Sequence, residues 1–193
     1  TAADALLADP LGLQPLPGIF AGGVERALGL QVQVDHRGTS LLPAGIAQLA
    51  ARGQADRSAL LSGAIERLLR GGSPADLRPY LLLVDHLTPT LAEWEPHGSD
   101  LLALTGSEVG AVVTEAQSVL HRLHGYGRVS DEAILEASAT VLRRPGKGTA
   151  RTALSRLELM ARRDDVDVEA LARAAAAGFD HPSHDVAERA LAL

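Results

Sequence analysis

The chain has 193 residues, 46% hydrophobic and 22% charged, which is enough apolar mass for one sizeable folded domain and too much for a chain disordered throughout. A formal net charge of −6 excludes a surface built as a whole to track nucleic acid or an anionic membrane, and zero cysteines exclude disulfides, thiolate nucleophiles and thiolate metal sites. Aromatics are only 3%, so the apolar mass is mostly Ala, Leu and Val, which suits helix-on-helix packing better than a sheet core.

Residues 1–37 form an irregular N-terminal segment in which Pro10, Gly12, Pro15, Pro17, Gly18, Gly22 and Gly23 break any long period. Short helices are predicted around Ala2–Ala8 and Ile19–Leu28, with a short extended run over Gly29–Asp35. Thr1–Leu13 lacks the basic start and long apolar centre of a signal peptide, and no stretch reaches the roughly 18 apolar residues of a membrane span. The expected compartment is the cytoplasm, with no membrane partner.

Residues 38–193 read as one helical repeat domain. The predicted helices are Leu41–Ala51, Ala55–Arg70, Pro74–Leu87, Thr90–Leu104, Glu108–Leu123, Asp131–Arg143, Gly148–Arg163, Val168–Ala177 and His184–Leu193, within an expected total of about 9–11. Ser73–Pro74 supplies an N-cap oxygen and a pre-set φ, and Ser130 caps a helix whose first turn carries Asp131 and Glu132. Gly71–Gly72, Gly106, Gly125, Gly146 and Gly178 are expected to close helices in the left-handed conformation, and Pro79 is placed in a first turn where its missing N–H is harmless. The start at Thr1 and the stop at Ala192–Leu193, inside an amphipathic pattern, are expected of a domain truncated at both ends.

A period links these helices. Leu77, Leu81 and Val84; Val112, Ala116 and Val119; Ala150, Leu154 and Leu157; and Val186, Ala190 and Leu193 share one i, i+4, i+7 spacing, and successive sets lie about 36 residues apart. A helix pair of that size cannot bury its apolar face alone, so stacking is predicted to stabilise it. The run His181–Pro–Ser–His–Asp–Val–Ala–Glu–Arg–Ala–Leu is similar to the second helix of a HEAT-type repeat, and Gly106–Val112 and Gly146–Ala150 open similar helices. Residues 56–91 further resemble a family of HEAT-like proteins from actinobacteria with no assigned activity. The resemblance to HEAT and armadillo repeats covers about Thr39–Leu193. It implies an all-α, right-handed α-solenoid of stacked antiparallel helix pairs. Armadillo proteins clamp extended peptides with a ladder of Asn, and the absence of Asn here speaks against that mode.

Few constellations carry chemistry. His121 and His124, and His181 and His184, are spaced to share a metal on a helix face, but no HExxH pattern or bridging carboxylate accompanies them, and they are expected as capping or solvated residues. Gly146–Lys147–Gly148–Thr149 imitates the end of a P-loop, yet Val141 stands where the first Gly belongs and no strand precedes it. Asp164–Glu169 alternates acids like part of a calcium loop, but Ala170 stands where the loop needs Gly, and helix capping is the expected role. No catalytic residue, cofactor or metal is predicted.

The candidate interaction surface is basic. Arg143, Arg144, Lys147, Arg151, Arg156, Arg162 and Arg163 face only Glu158 over residues 143–163, and on a helix Lys147, Arg151 and Arg162 fall within about 60° of one another. Trp94, the one Trp, joins them as a candidate anchor or a packing residue. The function expected from this resemblance is a non-catalytic scaffold for protein–protein interaction with an unidentified protein partner. The alternative is nucleic-acid binding of the HEAT-like DNA glycosylase type through the Arg143–Arg163 ridge, which the net charge disfavours.

Overall fold

The computed structural model describes residues 41–193. The segments predicted at Ala2–Ala8, Ile19–Leu28 and Gly29–Asp35, and the domain start at residue 38, lie outside that range. Among the described residues the regular structure is helical, with no strand, and no helix is long and apolar enough to cross a membrane. The chain divides into two compact units, the first ending at Glu93 and the second comprising Trp94–Leu193.

In the first unit α1 (Leu41–Ala51) and α2 (Arg57–Leu69) pack on each other and on α3 (Pro74–Leu87); one further turn, α4 (Leu91–Trp94), begins in this unit and ends at the first residue of the second. The boundaries follow from capping. The Asp56 carboxylate accepts from the N–H groups of Ser58 and Ala59, and Ser73 and Asp76 close a reciprocal capping box ahead of Pro74. Pro79 stands in the second turn of α3, a turn later than its sequence context suggested, where it removes an intrahelical bond. The helix continues because it buries Leu77, Pro79, Tyr80, Leu83, Val84 and Leu87, each large side chain contributing roughly 1.5–3 kcal/mol. Thr88, left-handed at φ 46°, ends α3. Arg57 secures that end: it donates to the Leu87 carbonyl at 2.5 Å and pairs with Glu93. The Arg57 guanidinium, with the Thr90 N–H and hydroxyl, pulls Glu93 down to about 2.

The second unit corrects one predicted helix. Thr90–Leu104 is broken into α4, a 3-10 turn over Glu95–His97, and α5 (Gly98–Leu104). Pro96 has no N–H to donate and Gly98 follows with poor helix propensity, so the apolar period continues while the backbone does not. Beyond it run α6 (Gly110–Gly125), α7 (Asp131–Leu142), α8 (Lys147–Met160), α9 (Val168–Ala176) and α10 (His184–Leu191). Ser130 caps α7 by accepting from the Ala133 N–H, and Asp167 caps α9 by accepting from the Ala170 N–H. Each helix from α5 onward packs on the next and on the next but one: α5 on α6 and α7, α6 on α7 and α8, α7 on α8 and α9, α8 on α9 and α10, α9 on α10.

The core follows the repeated apolar sets. Of their twelve positions, ten are buried, and only Leu81 and Leu193 are half-buried, so the i, i+4, i+7 register gives the inward face of α3, α6, α8 and α10. The glycines divide differently from expectation. Gly71 takes the left-handed turn at φ 71°, whereas Gly106, Gly125, Gly146 and Gly178 do not. Gly178 is needed for space: a Cβ there would lie 3.1 Å from the Cβ of Ala190 and 3.3 Å from Leu142.

Candidate interaction surface

The basic residues between Arg143 and Arg163 do not form one free ridge. On α8, Lys147 Nζ lies 2.7 Å from Asp185 Oδ1 and Arg151 Nη2 lies 2.6 Å from Asp185 Oδ2, so two cations of the predicted cluster converge on one carboxylate of α10. The Ser183 hydroxyl donates to the same carboxylate at 2.6 Å. Lys147 foremost, then Ser183 and Arg151, hold Asp185 far below the usual carboxylate range. Arg144 donates to the Gly106 carbonyl at 2.7 Å and meets Glu108 at 3.2 Å. Arg143 and Arg162 are exposed and make no ion pair among the described residues.

Trp94 leaves the surface altogether. Its side chain is 2% exposed and its indole N–H is buried without a hydrogen-bond partner, so it fills the interior and anchors nothing outside.

A second polar group, unseen as a unit in the sequence, joins α6, α7 and α8. His124, in the last turn of α6, meets Asp131 Oδ1 of α7 through Nε2 at 2.5 Å, and the Arg156 guanidinium of α8 approaches its Nδ1. Arg163 donates to Asp131 at 2.8 Å and to Asp165 at 2.8 and 2.9 Å. Asp131 is thereby held below its ordinary value, chiefly by His124 and then by Arg163. His121, one turn before His124, is pushed down to about 4 by burial first, and then by Arg156 and His124. Deeper between α6 and α8, the Gln117 amide donates to the Thr149 carbonyl at 3.2 Å while its own Oε1 is buried without a partner.

These side chains share a spacing. Arg57 to Glu93, Arg128 to Glu95, Gln117 to Thr149, His124 to Arg156, Asp131 to Arg163, Arg151 to Asp185 and Glu158 to Arg189 are separated by 31 to 36 residues. With Arg57 to the Leu87 carbonyl at 30, and Lys147 to Asp185 and Arg144 to the Gly106 carbonyl at 38, these long-range polar contacts all lie near the apolar period of about 36. The signal was in the sequence: shifting each Arg by one period lands close to an acid or a His, whereas counting charge within 143–163 alone finds only the cations.

The remaining motifs settle into local roles. Gly146 is the N-cap residue of α8 and Lys147 its first residue. Of the acids at Asp164–Glu169, Asp167 caps α9 and Asp165 pairs with Arg163. His181 is 7% exposed and accepts from the Ser183 N–H through Nδ1, while His184 is exposed beside Glu188. Among the described residues, no three His, Cys, Asp or Glu side chains gather as a metal site. An open cavity of about 410 Å³ between α5 and α7 is lined by Ser99, Leu102, Thr105, Thr140 and one carboxylate, Glu136.

No family model matches the chain, and neither a curated protein nor a solved structure matches it.

Proposed function

We propose that the chain is a non-catalytic helical-repeat scaffold whose second unit is a segment of right-handed, HEAT-like α-solenoid that presents a helix face to a protein partner. The observation that carries this reading is the similar spacing of the polar clamps, 30 to 38 residues from partner to partner, which brackets the apolar period near 36. Packing between helices one and two apart, from α5 to α10, supports the same order, since stacked repeats touch their neighbours and a closed bundle also joins its ends. α8 packs on both α6 and α10, and these three helices expose uncharged Thr114, Ser118, Thr152 and Ser155 beside Arg122, Lys147, Arg151 and Glu188, a mixed polar surface of the kind that protein interfaces carry at their rim.

The nucleic-acid reading keeps less support. Asp185 and Glu108 face Lys147, Arg151 and Arg144, and Asp131 and Asp165 face Arg163, leaving Arg143, Arg156 and Arg162 as the cations of the predicted set without an ion pair among the described residues. The test runs both readings together. The full chain, carrying photo-crosslinkers in turn at Ser118 and Ser155, is expected to capture one protein from both positions and to pass unretained over duplex DNA at low ionic strength. Retention on DNA that weakens steeply with salt, with no protein captured, would overturn the scaffold reading.

A further inference from the structure

We propose that His124 and Arg156 form an acid-released latch between α6 and α8, so that lowering pH loosens one seam between neighbouring helix pairs and leaves the next seam closed. The inference stands on donor and acceptor chemistry, independent of what the chain binds. Arginine has donors only, so the ring nitrogen it approaches, Nδ1 of His124, must offer a lone pair. Nε2 then carries the proton and donates it to Asp131 Oδ1 at 2.5 Å. Both contacts hold together only for the neutral ring.

A second proton on Nδ1 turns the acceptor into a donor and sets an imidazolium against a guanidinium. The contact with α8 becomes repulsive, while the contact with Asp131 gains charge attraction and keeps α6 on α7. The groups around the ring support that direction. On α6, His121 is the nearest titratable neighbour. The one charged residue of α5, Asp100, is engaged with His97 at 3.2 Å. α7 supplies Asp131 and α8 supplies Arg156, and in the turn after α8 Arg163 bridges Asp131 and Asp165. The His124 side chain is 9% exposed, so water does little to screen the two cations; the Arg156 Nε is buried without a partner, and the guanidinium is held by the charge of Asp131 against its own burial and the charge of Arg163. The seam between α8 and α10 is held by Lys147, Arg151, Asp185, Glu158 and Arg189, none of which changes charge between about pH 5 and 8.

The test is an imidazole nitrogen NMR titration of the full chain from about pH 7.5 to about 5, run beside amide hydrogen exchange corrected for the intrinsic rate. The expected result at the upper pH is the Nε2–H tautomer of His124. As His124 titrates, the α8 amides around Arg156 should lose protection by up to about tenfold per pH unit, before the α10 amides change. In Arg156→Met, α8 protection should no longer follow the His124 ring signal, and His124→Gln, neutral at every pH, should remove the same dependence. An Nδ1–H tautomer at the upper pH, α8 protection indifferent to His124, or simultaneous loss from α6 to α10 would each overturn the latch.

Discussion

The two seams that flank α8 have the same spacing and different chemistry. Toward α10, Lys147 and Arg151 meet Asp185 near the surface, where water and salt screen each pair and its net value is small, while Arg189 meets Glu158 with each side chain about one-third exposed. Toward α6, Arg156 and His124 meet behind Asp131 in a half-buried setting where desolvation makes each contact matter more and a proton can change its sign. The similar spacing places each clamp, and its burial and chemistry decide what it contributes.

The largest expected effect falls on what both seams share. Ala150 is 0% exposed on α8, so Ala150→Glu should cost about 3–5 kcal/mol by burying an unpaired charge, read as a large drop in melting temperature. Thr152→Glu, on the exposed side of the same helix, should stay within about 0.5 kcal/mol. Equal effects would break the assigned register. Next, Gly178→Val should cost about 1–3 kcal/mol in chemical denaturation, because its side chain would press on Ala190 and Leu142.

A matched pair of substitutions sharpens the comparison. Asp131→Asn removes the charge that His124 and Arg163 meet and leaves a neutral amide oxygen in its place, and should cost about 1–3 kcal/mol. Asp185→Asn should give a smaller shift that fades as salt is raised. The reverse order would mean that burial does not distinguish the seams.

A further expected effect is a slope. His121 has its folded value lowered from 6.5 to about 4, so the unfolded chain binds the extra proton first. Its contribution is complete above about pH 6.5 and is lost as pH falls toward about 4, which should appear as a declining urea midpoint over that window. His121→Gln should flatten that part of the decline.

Much of the fold was legible because the apolar period is a property of the sequence itself. Pro74–Leu87 has the predicted bounds, and Val112, Ala150 and Val186 are buried as their register required. The break at Pro96 was not legible, since Pro79 and Pro96 both interrupt apolar periods and only packing decides that the first helix runs on. The glycines misled for a related reason: Gly178 serves close packing, and nothing in its neighbours distinguishes that from a left-handed cap. The cations of residues 143–163 were legible as a charge count, but most of their partners lie about one period away, as Asp185 does from Arg151, and local counting cannot reach them. Trp94 was ambiguous between anchor and filler, and its burial decides for filler.

The central claim is that residues one repeat apart are neighbours, and the composition offers a direct probe, because Lys147 is the one lysine among 193 residues. Zero-length carbodiimide coupling of the native chain, followed by peptide mass spectrometry, should join Lys147 to Asp185, whose oxygen lies 2.7 Å away. Coupling of Lys147 to a carboxylate elsewhere in the described residues, with none at Asp185, would contradict it.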